Sequence, residues 1–165
     1  MTGHSVIHDT FTIKRTYPAT PSRVFAAFAS AEAKESWGDT GDLESIEGEA
    51  GAEEFEFRVG GRERFGHKWQ GTTYRYDALY YDIVPDTRIV YSYEMYANDV
   101  RISVSVTTIE FAPSREGTAL RFTEQGAFLD GIDGPEAPKL RQEGTTEMLD
   151  NLTGYLESPA RRSSE

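Results

Sequence analysis

The sequence contains no cysteine, which removes disulfides, a thiolate nucleophile and Cys-ligated metal together and leaves the redox compartment unmarked. Histidine is scarce. Of its three residues, His4 and His8 fall in an N-terminal stretch expected to be mobile and out of reach of His67, so no metal site is expected. No apolar run approaches the length of a membrane span, and MTGHSVIHDTFTIKRTY has neither an apolar core nor a cleavage pattern. A cytoplasmic protein without membrane insertion is the expectation. Positive charge is short as well: 17 Lys and Arg against 28 Asp and Glu give a formal net charge of -11. The small basic clusters Arg62/Arg64 and Arg161/Arg162 do not reverse that field, so nucleic acid is not an expected partner. No nucleotide-binding motif or nucleophile triad is present, Gly60-Gly61 reads only as a turn, and no cofactor is expected.

What the chain has in quantity is tyrosine. Seven of its nine tyrosines lie in residues 72 to 96, TTYRYDALYYDIVPDTRIVYSYEMY. A buried phenol needs a hydrogen-bond partner, so these rings imply a wet cavity, an exposed face, or both. At 165 residues the chain suits one domain over 1–165 with a core at about 10–157, long enough to bury roughly 68 to 70% of its unfolded surface.

Periodicity sets the elements. FTIKRTYP alternates as a first strand. TPSRVFAAFAS follows with Thr20 as cap, Pro21 in the first turn, and Val24, Phe25 and Phe28 on one face of a helix. AEAKESWG predicts a second short helix stopped by Gly38, and acidic, glycine-rich residues 39 to 52 predict a loop or weak strand. Glu53 to Gly126 then reads as a succession of strands. A helix from about Pro138 carries Met148, Leu149, Leu152, Tyr155 and Leu156 on one face, before a frayed tail.

Hairpin parity assigns faces. EFEFRV directs Phe55, Phe57 and Val59 one way; a three-residue turn, Gly60 to Arg62, then places Phe65, His67 and Trp69 with them. A three-residue turn at Pro85, Asp86 and Thr87 joins Leu79, Tyr81 and Ile83 to Ile89, Tyr91, Tyr93 and Met95. A two-residue Asn98-Asp99 turn sets Met95 beside Ile102, Tyr93 beside Val104 and Tyr91 beside Val106. On this reading Tyr81, Tyr91 and Tyr93 face in, whereas Tyr74, Tyr76, Tyr80 and Tyr96 face out as a solvated stripe or a homodimer surface. A β-bulge near Thr107 and Thr108 would restore Ile109 and Phe111 to the inner face. In the last strand the parity of Leu120 and Phe122 delivers Glu124 inward.

The order of strand, two short helices, antiparallel meander and one long helix predicts an α+β domain, a helix-grip fold in which a curved sheet wraps the C-terminal helix. At this level the chain resembles the START-like (SRPBCC) superfamily, and within it the activator of Hsp90 ATPase homologue 1-like family. The likeness is carried by Arg15 and Pro18 before the Val24-Phe25 helix, by Trp37 and by Gly60-Gly61. It continues through the string Asp82-Ile83-Val84-Pro85-Asp86-Thr87-Arg88-Ile89-Val90, Gly117-Thr118 and Thr123-Glu124-Gln125-Gly126. The resemblance implies a cavity between sheet and helix; relatives in the superfamily bind lipids, hormones or polyketides there, and a few catalyse cyclisation. Trp37 is followed by Gly38 where many members have a second aromatic, and Gly144-Thr145 stands where many have Gly-Trp, which implies a more open or more polar mouth. A true Hsp90 activator has a separate N-terminal domain that is not expected here.

The residues expected to line such a cavity are Trp37, Phe57, Phe65, His67, Trp69, Tyr81, Tyr91, Tyr93, Val104, Phe122, Glu124, Met148 and Leu152. His67 suits a general acid or base, or a core histidine bonded to a neighbour. Glu124 suits a carboxylate with a raised pKa, or a partner for Arg121, Arg15 or a helix end. Three functions follow: binding of a small hydrophobic or aromatic molecule, a polyketide cyclase or lyase using His67 and Glu124, and an Hsp90-activator-like interaction module.

Overall fold

A computed structural model describes residues 3–38, 44–45 and 53–158. β1 (Val6–Tyr17) leads into α1 (Pro21–Phe28) and α2 (Ala31–Gly38). Seven further strands follow: β2 (Glu44–Ser45), β3 (Glu54–Phe55), β4 (Arg62–Trp69), β5 (Thr72–Val84), β6 (Arg88–Ala97), β7 (Val100–Ser114) and β8 (Gly117–Leu129). α3 (Ala137–Glu157) is the last of the described elements. The strands form one antiparallel sheet in the order β1-β8-β7-β6-β5-β4-β2, with β3 beside β4. This is the expected helix-grip, α+β arrangement. Most of the acidic segment 39–52 and the tail beyond Ser158 lie outside the described residues. No described helix is long and apolar enough to cross a membrane.

β1 starts earlier than the alternation of FTIKRTYP suggested. His8 pairs opposite Ala127 and His4 Nδ1 lies 3.2 Å from Asp130, so the expected mobile N-terminus is instead tied to β8 and the turn after it. Thr20 caps α1 as read, its hydroxyl accepting from Arg23 N at 3.2 Å. Phe25 and Phe28 of that helix pack edge-on against Phe111 at 5.5 and 5.6 Å. Trp37 closes on Phe28 at 4.9 Å and donates its indole N–H to Ala27 O. α3 buries Leu149, Leu152 and Leu156 in one hydrophobic cluster with Phe11, Ile13, Phe111 and Phe122, each burial contributing about 1.5 to 3 kcal/mol. Tyr17 fixes the helix by donating to Leu149 O at 2.7 Å, and Arg15 Nε by donating to Asp150 at 2.8 Å.

Two bulges change the faces of the strands. Val84 pairs with Arg88 and Ile83 with Ile89 across the expected Pro85–Thr87 turn, but the register shifts between Tyr80 and Asp82. Tyr81 is the extra residue and stands 58% exposed. Before the bulge the inward set is therefore Tyr76, Ala78 and Tyr80, with Tyr80 only 2% exposed. A one-residue shift exchanges every side chain between faces. Tyr81 is thus corrected to the outer surface, and the outward tyrosine stripe dissolves: Tyr80 and Tyr76 face in, Tyr74 stacks on inward His67, and only Tyr96 points out, beneath Arg75.

The second bulge lies on β7. Asn98 and Asp99 adopt φ of 47° and 66°, and Ala97 opposes Val100 as read. Tyr96 then opposes Arg101 while Met95 opposes Ser103, so Ile102 is the extra residue. Consequently Tyr93 faces Ser105 and Tyr91 faces Thr107, and Val104 is turned out, 37% exposed. The bulge expected at Thr107 and Thr108 is not present; Thr107, Ile109 and Phe111 are already in phase.

The β3–β4 connection is wider than a three-residue turn. Phe55 pairs with Glu63, Gly60 N donates to Tyr80 O and Tyr80 N to Gly61 O, and Val59 sits on the crest of the turn, exposed rather than inward. A side chain at Gly61 would collide with the backbone of Glu56 and Arg58, which is why glycine closes this turn. Trp69 is the other departure. Its pair with Thr72 lies beyond Tyr74, the residue at which β5 stops pairing with β6, so it reaches past the covered rows and is 44% exposed.

Candidate functional site

The concave face is built in rows by the register. Tyr80, Tyr91, Thr107, Glu124 and Phe11 form one; Glu63, Ala78, Tyr93, Ser105 and Gly126 the next; Phe65, Tyr76, Met95, Ser103 and Phe128 a third. Glu124 arrives where the alternation with Phe122 put it, 3% exposed. Its partner is Arg141 of α3, neither Arg121 nor Arg15. Arg141 Nη1 lies 3.5 Å from Glu124 Oε2 and donates to Tyr93 Oη at 2.8 Å, while Nη2 donates to Ser103 Oγ at 2.9 Å. Tyr93 Oη in turn donates a hydrogen bond to Glu124 Oε2 at 2.8 Å, and Thr107 donates to Oε1 at 3.2 Å. The guanidinium also stands over the rings of Tyr93 and Phe128. Burial raises the Glu124 pKa, opposed by Arg141 and by the hydroxyl donors.

A second carboxylate lies inside on β4. Glu63 Oε1 accepts from Lys34 Nζ at 2.7 Å and from Tyr80 Oη at 2.7 Å, tying α2 to the sheet. Burial first, then the Glu63 charge, pushes the Tyr80 pKa well up; burial does the same for Tyr91 and Tyr93.

Farther along β4 and β5 the rings are stacked but only half covered. Phe65 lies 4.8 Å from Tyr76, Tyr76 4.9 Å from Tyr93, and His67 5.5 Å from Tyr74. Burial lowers the His67 pKa, and its Nδ1 is enclosed without a hydrogen bond. Among the described residues Nδ1 therefore makes no bond of the kind expected for a core histidine, one of the two expectations for this residue.

Of the residues expected to line a cavity, Phe65, His67, Tyr93 and Glu124 share the concave face of β4 to β8, with Tyr91 beside them. Trp37, Phe122 and Leu152 are buried in the helix-covered core; Phe57 and Met148 pack on that core's edge. Trp69, Tyr81 and Val104 are outside it, for the reasons given above. Sequence reasoning missed Arg141, Ser103, Ser105, Thr107, Glu63, Tyr76 and Tyr80. Two signals were available: Arg141 precedes Thr145 and Leu149 at helical spacing, and Glu63 shares the parity of Phe65 and His67. Two open depressions, of about 350 and 320 Å³, lie elsewhere: one on α3 at Lys139, Gln142, Glu143 and Thr146, the other on the outer sheet around His8, Val104, Val106 and Gln125. Among the described residues no cluster of three or more His, Asp or Glu could hold a metal ion.

Residues 18–157 match the family model for activator of Hsp90 ATPase homolog 1-like protein. The chain belongs to this family. A protein of Rhizobium leguminosarum is 41% identical, over 94% of this chain and 99% of its own, with a TM-score of 0.82. One of Rhizobium loti is 46% identical, over 92% of this chain and 99% of its own, with a TM-score of 0.78. DynU16, a protein of the dynemicin biosynthetic locus, superposes with a TM-score of 0.64 at 18% identity, over 91% of this chain and 48% of its own. That likeness is one of fold. No curated protein matches the chain. Within the activator-like family, then, this member sets an Arg141–Glu124–Tyr93 network beside a half-covered aromatic wall on its START-like sheet.

Proposed function

We propose that this protein binds a small hydrophobic or aromatic molecule on the concave face of β4 to β6, beside α3. One observation carries the reading: Phe65, His67, Tyr74 and Tyr76 are stacked in pairs yet remain half-buried, whereas the neighbouring rows under the helices are closed. Aromatic walls with few polar groups are the usual lining of small-molecule sites. The family resemblance to binders of hydrophobic ligands supports it.

Nile red, an uncharged dye that brightens in apolar surroundings, tests the proposal. Saturable binding is expected, weakened at least about tenfold, or 1.4 kcal/mol, in a Phe65→Ala, Tyr76→Ala variant and unchanged in Val104→Ser, Val106→Ser on the outer face. Absence of saturable binding, or its loss only in the outer-face variant, would overturn the reading. A cytoplasmic location is part of the proposal and is checked by cell fractionation.

The acid–base enzyme has less support. His67 on β4 and Glu124 on β8 are four strands apart, roughly 19 Å along the sheet at about 4.8 Å per strand. They share a face without forming a pair.

A further inference from the structure

Two groups on the concave face suit an oxygen of a bound molecule, and their surroundings differ. Glu124 is engaged on both oxygens, by Tyr93 and Arg141 on Oε2 and by Thr107 on Oε1. A ligand would have to displace these partners. His67 is the opposite case: its Nδ1 is enclosed and makes no hydrogen bond. An orphaned N–H is the rarer and costlier defect, so the tautomer that leaves a bare lone pair at Nδ1 is favoured and the proton resides on Nε2. With Nδ1 enclosed, this half-buried residue has Nε2–H as its ring donor, on a ring whose centre lies 6.3 Å from that of Phe65 and 5.5 Å from that of Tyr74. The lowered pKa keeps the imidazole neutral near pH 7.

Charge narrows the class further. Arg141 faces Glu124 and Lys34 faces Glu63, so among the described residues these two interior cations already have carboxylates. Asp133 raises the Tyr74 pKa, second to burial, which puts negative charge at the His67 end. A ligand anion would meet this field without a counter-ion.

Resting on the binding reading above, we infer that the ligand is an uncharged planar aromatic molecule whose oxygen accepts a hydrogen bond from His67 Nε2. Its rings lie against Phe65, Tyr74 and Tyr76, and its oxygen-bearing edge points along β4 rather than toward Glu124.

Titration of the full chain with naphthalene, 2-naphthol and 2-naphthoate at neutral pH, followed by ligand fluorescence, separates the possibilities. Wild type is expected to bind 2-naphthol up to about tenfold tighter than naphthalene, the worth of one hydrogen bond, and 2-naphthoate more weakly than either. His67→Phe and His67→Leu should lose the preference for 2-naphthol over naphthalene, the two affinities being compared within each variant, while cooperative urea unfolding reports an intact fold. Equal binding of naphthalene and 2-naphthol by wild type, or a preference that survives both variants, would overturn the His67 assignment and leave the binding reading standing. Tightest binding by 2-naphthoate would overturn the requirement for an uncharged ligand. If none of the three binds saturably, the binding reading itself fails.

Discussion

The two halves of the concave face solve burial differently. Under α1 and α3 the strands β1, β7 and β8 present Phe11, Ile13, Ile109, Phe111, Leu120 and Phe122, all less than 8% exposed, side chains that pack without needing hydrogen bonds. On β4, β5 and β6 the corresponding positions are Glu63, Phe65, His67, Tyr76, Tyr80, Tyr91 and Tyr93. Every phenol or carboxylate enclosed there has to be matched, and the matches come from distant elements: Lys34 of α2 for Glu63 and Arg141 of α3 for Tyr93, where Arg141 also meets Glu124 of β8 at the seam between the halves. The helix-covered half is stabilised by area and the tyrosine half by partners. Only the second leaves rings half open and a ring nitrogen unpaired, which is the condition for recognising something else.

The largest expected difference between the halves appears at high pH. Burial, with nearby carboxylates, raises the pKa values of Tyr80, Tyr91 and Tyr93 well above the usual value of 10.0. Above that value the unfolded chain releases these protons while the folded chain retains them, so the unfolded state binds fewer protons and stability falls as pH rises. Each phenol contributes up to about 1.4 kcal/mol per pH unit, the limit being approached about one unit above that value, and the three together up to about 4. Urea unfolding between pH 9.5 and 11 measures the slope. Tyr80→Phe should reduce it by up to about 1.4 kcal/mol per unit; an unchanged slope would mean that Tyr80 titrates normally in the folded protein.

Next in size is the seam between the halves. Arg141→Leu strands the Glu124 carboxylate inside and should cost about 3 to 5 kcal/mol at neutral pH, whereas adding Glu124→Leu should recover most of the loss. Chemical denaturation of both variants decides it: a double variant no better than the single would show that the ion pair, rather than the uncompensated charge, sets the stability. In the helix-covered half, Leu152→Ala should cost about 2 to 5 kcal/mol through its cavity. Nile red binding per folded molecule should be unaffected, and parallel loss of dye affinity would erase the division between the halves.

The division of labour was only partly legible beforehand. Element order, the Thr20 cap, the Asn98-Asp99 turn and the Pro85–Thr87 turn follow from local chemistry, and Glu124 follows from its phase with Phe122. The faces of β5 and the first half of β7 do not. There, Leu79 competes with Tyr80 and Val104 with Ser103, and apolar content favours the alternatives that the fold turns outward. What favours the observed faces is polar pairing over distance: Tyr80 with Glu63, 17 residues away, and Ser103 with Arg141, 38 residues away. Periodicity within a strand is blind to those terms, so the single-residue bulges at Tyr81 and Ile102 were beyond it.

The smallest expected effect is the most direct check of the β5 bulge, because it compares adjacent residues of the same type. Tyr80 and Tyr81 occupy 2% and 58% exposed positions, and the Tyr80 hydroxyl meets a buried carboxylate at 2.7 Å. Tyr80→Phe removes a hydrogen bond to a charged acceptor and should cost about 1.5 to 3 kcal/mol near pH 7. Tyr81→Phe removes a hydroxyl on the outer surface and should lie within about 0.5 kcal/mol of wild type. Both are read as urea midpoints at constant slope. Reversal of the order would restore the odd-numbered face of β5 to the interior, place Leu79 beside Tyr81 within it, and move the aromatic wall to the opposite surface of the sheet.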